Sequence, residues 1–379
     1  MANTPARNAG IDVLRGLSIL LVVVHHVGLR IPLKKGVLAT FLPKWFLSAL
    51  IYNGYEAVFI FFVLSGFLIT VNAQARWGSL GAVDRQAFYA RRAARILPCL
   101  FLLVGVLSAL HLIGAESYVI SREGQSLPRA IFAALALHLN WYEGKTGYLP
   151  GGWDVLWSLS IEEVFYLGFP LLTPILFRLR LLGPALLLFA LSLPVTRAAL
   201  AGNEIWQEKA YLPGMAGIAT GVLAALIAAR IQPKRRSTVP ILCLVGALGV
   251  GAVLFAEGKL WPRIGDGVLL LLTGGTACLA VAFHWQARAA VPWTMRGFGW
   301  LRSFGRLSYE IYLTHMLVVF FVVRVFKGRG GDMWWGFLWY LPAVVLSWIL
   351  GWLVARYISI PSERAFRDYM TRKSPAPPP

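Results

Sequence analysis

Apolar residues fall along this chain in blocks of about 17–23, close to the ~20 residues that a helix needs to cross a hydrocarbon layer of about 30 Å. Such blocks predict helices near Val13–Leu29, Tyr55–Val71, Ile96–Gly114, Val155–Phe177 and Leu181–Leu200. Five more are predicted near Tyr211–Ala229, Val239–Ala256, Asp266–Phe283, Leu307–Val325 and Trp334–Ala355. Ala130–Tyr142 is apolar but too short to cross, so it is expected to be re-entrant or interfacial. The end, Lys373–Pro379, runs into Ser-Pro-Ala-Pro-Pro-Pro and is expected to be disordered, since proline removes donors and stops helices. No internal repeat is visible, which weighs against transporter folds built from duplicated halves.

These blocks make the expected fold class all-α, an integral membrane protein of about ten transmembrane helices with both termini cytoplasmic. Composition agrees: 58% of the 379 residues are hydrophobic, 14% are charged and mean hydropathy is +0.66. One transmembrane domain, 11–358, is expected between a cytoplasmic N-terminal segment, 1–10, and a basic, proline-rich cytoplasmic tail, 359–379. The net charge of +19 does not point to nucleic acid, because the basic residues sit between the apolar blocks and form no single patch. They follow the positive-inside pattern instead. With ten crossings, 22 of the 36 Lys and Arg fall inside and 14 outside, the inner clusters being Arg91, Arg92 and Arg95; Arg178 and Arg180; Lys234, Arg235 and Arg236; and Arg296, Arg302 and Arg306. An eleventh crossing at Ala130–Tyr142 would move the Lys234 cluster outside. Arg7 and Arg15 flank the first block as in a signal peptide, but no small-residue cleavage site follows, so the helix is expected to be retained. Cys99, Cys243 and Cys278 lie singly in apolar runs and read as packing residues.

Ionisable groups inside the blocks are the candidates for chemistry, because each is costly in lipid and usually faces a functional interior. Arg15 and His26 are eleven residues apart, within about 20° of three full helical turns, so they share a face. Asp12 lies one turn before Arg15. His25 is about 100° away, so only His26 is expected to work with Arg15. The bland alternative is that Arg15 snorkels to the headgroups while the histidines cap the outer helix end. In Trp157–Tyr166, Ser158, Glu162 and Tyr166 form a stripe of period four and Glu163 points elsewhere; a structural ion pair with a buried arginine is the competing reading. Arg92 and Arg95 lie one turn apart and suit phosphates, or serve only as topology anchors. Ser308, Tyr312 and His315 share a face, though a lone intramembrane histidine can be a satisfied packing residue. Ser65-Gly66 reads first as a close-packing site. No metal-ligand spacing is present.

These patches, in this order, resemble the acyltransferase family 3 membrane proteins, which include bacterial O-acetyltransferases of surface polysaccharides. The resemblance covers nearly the whole chain. It rests chiefly on Arg15 and His26 and on Ser-Leu-x-x-Glu-x-x-Phe-Tyr from Ser158 to Tyr166. Arg92 and Arg95, Ser-Gly-Phe-Leu at Ser65 and Ser-Tyr-x-Ile-Tyr-Leu-x-His ending at His315 add to it. It implies transfer of an acyl group, usually acetyl, from cytoplasmic acyl-CoA (acetyl-CoA first) to a hydroxyl of a cell-envelope or exported glycan, at a plasma (inner) membrane. His26 takes the family's catalytic histidine position, Glu162 its buried glutamate, and Arg15, Arg92 and Arg95 its arginine motifs. The site is thus expected to be catalytic at His26, Glu162 and Arg15 and donor-binding at Arg92 and Arg95. Asp12, Ser158, Tyr166, Ser308, Tyr312 and His315 would support it. His25 and Val164 depart from residues common in the family. Many relatives add a soluble esterase-like domain; here the transfer is expected to be completed by the membrane domain or handed to a separate protein. Three rival functions remain: acylation of a small molecule, such as an antibiotic or lipid-linked sugar, at the cytoplasmic face; transport or flipping of a polar solute; and a structural or sensor role in which the arginines are only anchors.

Overall fold

Lipid leaves backbone groups no solvent partner, which admits only helices or closed barrels as crossings. The computed structural model describes residues 7–373 except 234, 290 and 292, and among these it is helical with no strand. We number its principal helices α1 (Ala9–Gly28), α2 (Gly54–Trp77), α3 (Arg85–Leu112), α4 (Leu127–Leu135), α5 (Leu139–Thr146), α6 (Trp157–Arg178), α7 (Leu182–Leu191) and α8 (Leu193–Ala198). They continue as α9 (Tyr211–Arg230), α10 (Thr238–Ile264), α11 (Gly267–Ala287), α12 (Gly299–Arg306), α13 (Ser308–Gly328), α14 (Tyr340–Val354) and α15 (Ile360–Lys373). Nine helical segments among the described residues are long and apolar enough to cross a membrane.

The fifth expected crossing, Leu181–Leu200, is broken into α7 and α8 at Ser192, two residues before Pro194, whose missing N–H and ring oppose a continuous helix. Phe177, at the end of α6, lies against Gly81 just beyond the end of α2, whereas Arg197 of α8 reaches the Tyr55 hydroxyl at the start of α2 (3.3 Å). The two short pieces therefore cover the same thickness as α2. The stretch expected to be re-entrant forms α4 and α5, nine and eight residues long, and neither can cross alone. A turn with Leu137 in the left-handed region (φ 60°) joins them. Beyond α14 a π-helical turn, Ala355–Ser359, leads into α15, so Ile360–Lys373 of the expected tail is helical. The final prolines, the first six residues and Lys234 of the basic cluster lie outside the described residues.

Without a hydrophobic drive between helices in lipid, association rests on close packing. A Cβ on Gly66 would fall 2.0 Å from the Ile218 carbonyl, and one on Gly221 1.9 Å from the Val63 carbonyl, so α2 and α9 touch backbone to backbone. Gly16 and Gly305 play the same part where α1 crosses α12, with Cβ positions 2.1 Å from the Leu301 carbonyl and 1.8 Å from that of Asp12. These contacts fix α1 and α2 as the centre of the bundle. Its outer surface carries exposed Phe101, Leu112, Leu188 and Leu341, as a lipid-facing surface should.

Candidate active site

Asn8 starts α1 as its N-cap, its side chain accepting from the Gly10 and Ile11 N–H groups at 3.0 and 3.2 Å and donating to the Phe283 carbonyl at 3.0 Å. This anchors the helix end beside α11 and sets the rotation of α1. The face carrying Arg15 and His26 then looks toward α13, which runs in the same direction. Three rungs join α13 to its neighbours. Arg15 donates to the Ser308 hydroxyl (2.8 Å), the Tyr312 hydroxyl meets that of Ser158 (2.6 Å), and His315 Nε2 lies 3.3 Å from His26 Nδ1. Tyr312 also donates to the Val155 carbonyl (3.1 Å). The structure thus brings five of the residues expected from the stripes, Arg15, Ser158, Ser308, Tyr312 and His315, into contact with one another or with His26.

The carbonyl partners assign the tautomers, because a carbonyl can only accept. His315 Nδ1 sits 2.7 Å from the Tyr312 carbonyl and carries its proton there, which leaves Nε2 as a lone pair. His26 Nδ1 sits 2.8 Å from the Val22 carbonyl and is protonated too, sharing that hydrogen with His315 Nε2. His26 Nε2 is then an unprotonated nitrogen with no protein partner among the described residues. Arg15, His26, Glu162 and Tyr312 are only half-buried although they lie between helices. His25 faces elsewhere, toward the Ile51 carbonyl (3.0 Å) and over Gly54.

A second cluster lies apart from the histidines. Glu162 accepts from Tyr166 (2.8 Å) and from Ser65, while Arg92 holds Glu163 (2.6 Å), approaches Glu162 (3.8 Å) and stacks on the Tyr166 ring (3.8 Å). No hydrogen bond joins Glu162 to His26 among the described residues, so the expected gathering of Glu162 around His26 resolves into two polar levels. The two arginines also separate: Arg92 is committed to two carboxylates, whereas Arg95 is exposed and makes no ion pair among the described residues. Asp12 turns to Arg7 (3.0 Å) and not to Arg15, and so secures the helix start.

A match to a known family decides what this arrangement belongs to: a family model described as an acyltransferase domain covers residues 8–356. The chain belongs to acyltransferase family 3. Among curated relatives, this family member is 24% identical over 343 residues to O-acetyltransferase OatA of Staphylococcus aureus, strains NCTC 8325 / PS 47 and COL alike. The match covers 84% of this chain and 52% of each relative, so the chain spans about half the length of these proteins. No solved structure matches it.

Several polar residues of this acyltransferase domain escaped the sequence reading. Ser65, read as a packing residue, bonds Glu162 and Tyr166 while Gly66 does the packing. Glu163, set aside as off the stripe, is the one that takes Arg92; its off-face angle was itself the signal, since a carboxylate in lipid must find a cation. Just before α6 begins, Lys209 is 3% exposed between Glu143 (3.0 Å) and Asp154. Burial, with Asp154 beside it, pushes the Glu143 carboxyl well above the usual carboxylate range. This trio ties α5 to α6 and α9, and nothing in the sequence spacing joins its members.

The middle rung permits a graded test. Tyr312→Phe keeps the ring but loses its bonds to Ser158 and Val155, at a cost of about 1 kcal/mol. That should lower Tm by roughly 1–2 °C in detergent and leave activity within about tenfold of wild type. A wild-type Tm would mean that the rung adds nothing to stability.

Proposed function

We propose that this protein is a membrane O-acyltransferase that moves an acyl group, acetyl foremost, from cytoplasmic acyl-CoA to a hydroxyl of a cell-envelope or exported glycan. The observation that carries this reading is the free Nε2 of half-buried His26, held in one tautomer by Val22 and His315. In the reaction Nε2 takes the proton of the acceptor hydroxyl as its oxygen attacks the thioester carbonyl. The tetrahedral intermediate then collapses, the C–S bond breaks, and the departing thiolate of CoA recovers the proton from the imidazolium. Arg15, on the same helix face but about eleven rises from His26, is too distant to meet the charge that develops on the former carbonyl oxygen and instead attracts the anionic donor toward the site. The exposed guanidinium of Arg95 suits the donor's phosphates, and Arg92 acts beside it by holding Glu162 and Glu163 in place.

On this reading the chain crosses ten times, counting the broken α7–α8 pair, and the positive-inside pattern supports cytoplasmic ends at a plasma membrane. Arg15 then lies near the inner surface and His26 roughly 16 Å further out. Acyl transfer on this reading runs across the bilayer. Sealed inside-out vesicles, given labelled acetyl-CoA outside and an impermeant glycan either in the lumen or outside, test it. Label is expected in the luminal glycan. Label confined to the external acceptor would overturn the transmembrane route and favour a cytoplasmic acceptor.

A further inference from the structure

On the face where α1 begins, away from both polar levels, a cavity of about 760 Å³ lies between the end of α6, the start of α7 and the end of α9. Arg178, Arg180 and Arg230 line it, and no acidic residue does. Among the described residues none of the three forms an ion pair. Its floor is apolar: Leu182, Leu223 and Leu226. Leu223 and Leu226 are one to two turns deeper in α9 than Arg230, so charge stands at the face and hydrocarbon below it. Leu181 and Ile231 beside the mouth are 51% and 54% exposed, so apolar side chains rim the opening.

Arg180 supplies an independent sign of function. It closes α6 as the left-handed residue (φ 59°), with the Leu181 N–H bonded to the Leu176 carbonyl at 2.9 Å. Glycine is the usual occupant of this position, because a Cβ is disfavoured there. An arginine at that strained position, lining the cavity with two others, points to an anion that it binds.

We propose that this cavity seats one anionic glycerophospholipid, its phosphate on Arg178, Arg180 and Arg230 and its acyl chains over the leucine floor. The shared chemistry is a phosphate, but the apolar floor and apolar rim select a lipid over a soluble phosphate. The inference is independent of the acyl-transfer reading. The full chain is reconstituted in phosphatidylcholine nanodiscs containing a minor fraction of phosphatidylglycerol, and retained lipid is measured by native mass spectrometry after detergent extraction. One phosphatidylglycerol per chain is expected to persist. Arg178→Gln with Arg180→Gln and Arg230→Gln should weaken its retention at least tenfold, whereas Arg235→Gln with Arg236→Gln and Arg288→Gln, which removes equal charge from loop and helix-end positions outside the cavity, should not. Equal loss in both triples would reduce the effect to general surface charge and overturn the site. Millimolar inorganic phosphate or CoA should not displace the lipid; displacement by either would reassign the cavity to a soluble phosphate. Arg180→Gly keeps the helix end and relieves the strain, so it should fold at least as well while losing the thermal shift that phosphatidylglycerol gives. An undiminished shift in that variant would sink the proposal even if the triple failed to fold.

Discussion

His26→Ala is expected to lower kcat for acyl transfer by about 10²–10⁴-fold, the usual worth of a general base, with protein level and Tm little changed. His25→Ala should keep most activity and lose only the stability carried by its bond to the Ile51 carbonyl, about 1 kcal/mol. His315→Ala belongs between them, because the Val22 carbonyl still holds the His26 tautomer but the second acceptor is gone. A fall of about ten- to hundredfold is expected, the worth of one hydrogen bond to a group that becomes charged during the reaction. Turnover of labelled acetyl-CoA by the three purified variants checks the order. An active His26→Ala beside a dead His25→Ala would discard the assignment.

Arg92→Ala is expected to cost the fold, and not merely the donor's affinity. Glu163 has 11% of its side chain exposed and Glu162 27%, and both face Arg92, so the substitution strands two carboxylates within the bundle. Breaking such a pair costs about 3–5 kcal/mol, a large share of any membrane domain's stability. Little folded protein should be recovered, and adding Glu163→Gln should restore part of it by removing one of the stranded charges. Arg95→Ala should by contrast fold normally and raise the donor's apparent KM more than it lowers kcat. Size-exclusion profiles of the three variants, followed by donor titrations on those that fold, separate the roles. Normal folding of Arg92→Ala with a raised donor KM would return Arg92 to the phosphate site.

The crossings were legible in the sequence because span length and apolarity are local properties, and so was the sharing of faces by Arg15 with His26 and by Ser308 with Tyr312 and His315. What could not be read was which face meets which. Helical periodicity gives the angle of a side chain on its own helix, but not the rotation of that helix against its neighbours. Glu162 shows the difference: its stripe with Ser158 and Tyr166 is as the spacing requires, yet Ser158 leans to Tyr312 while Glu162 joins Ser65 and Tyr166. The Lys209 trio was hidden for another reason. Its members come from three segments separated by up to 66 residues, two of them at span ends, where a charge normally reads as an interfacial anchor. The break at Ser192 was visible in Pro194, but the apolar block around it masked the signal.

Because Ser308, Tyr312 and His315 hang on one helix, α13 acts as a gauge rod whose marks must stay in phase. Substitutions along its other faces leave the marks aligned. One residue inserted or deleted between Ser308 and His315 would turn His315 by about 100° away from His26 while Ser308 stayed with Arg15. Lineages of this protein should therefore vary in the composition of that seven-residue interval but hold its length fixed.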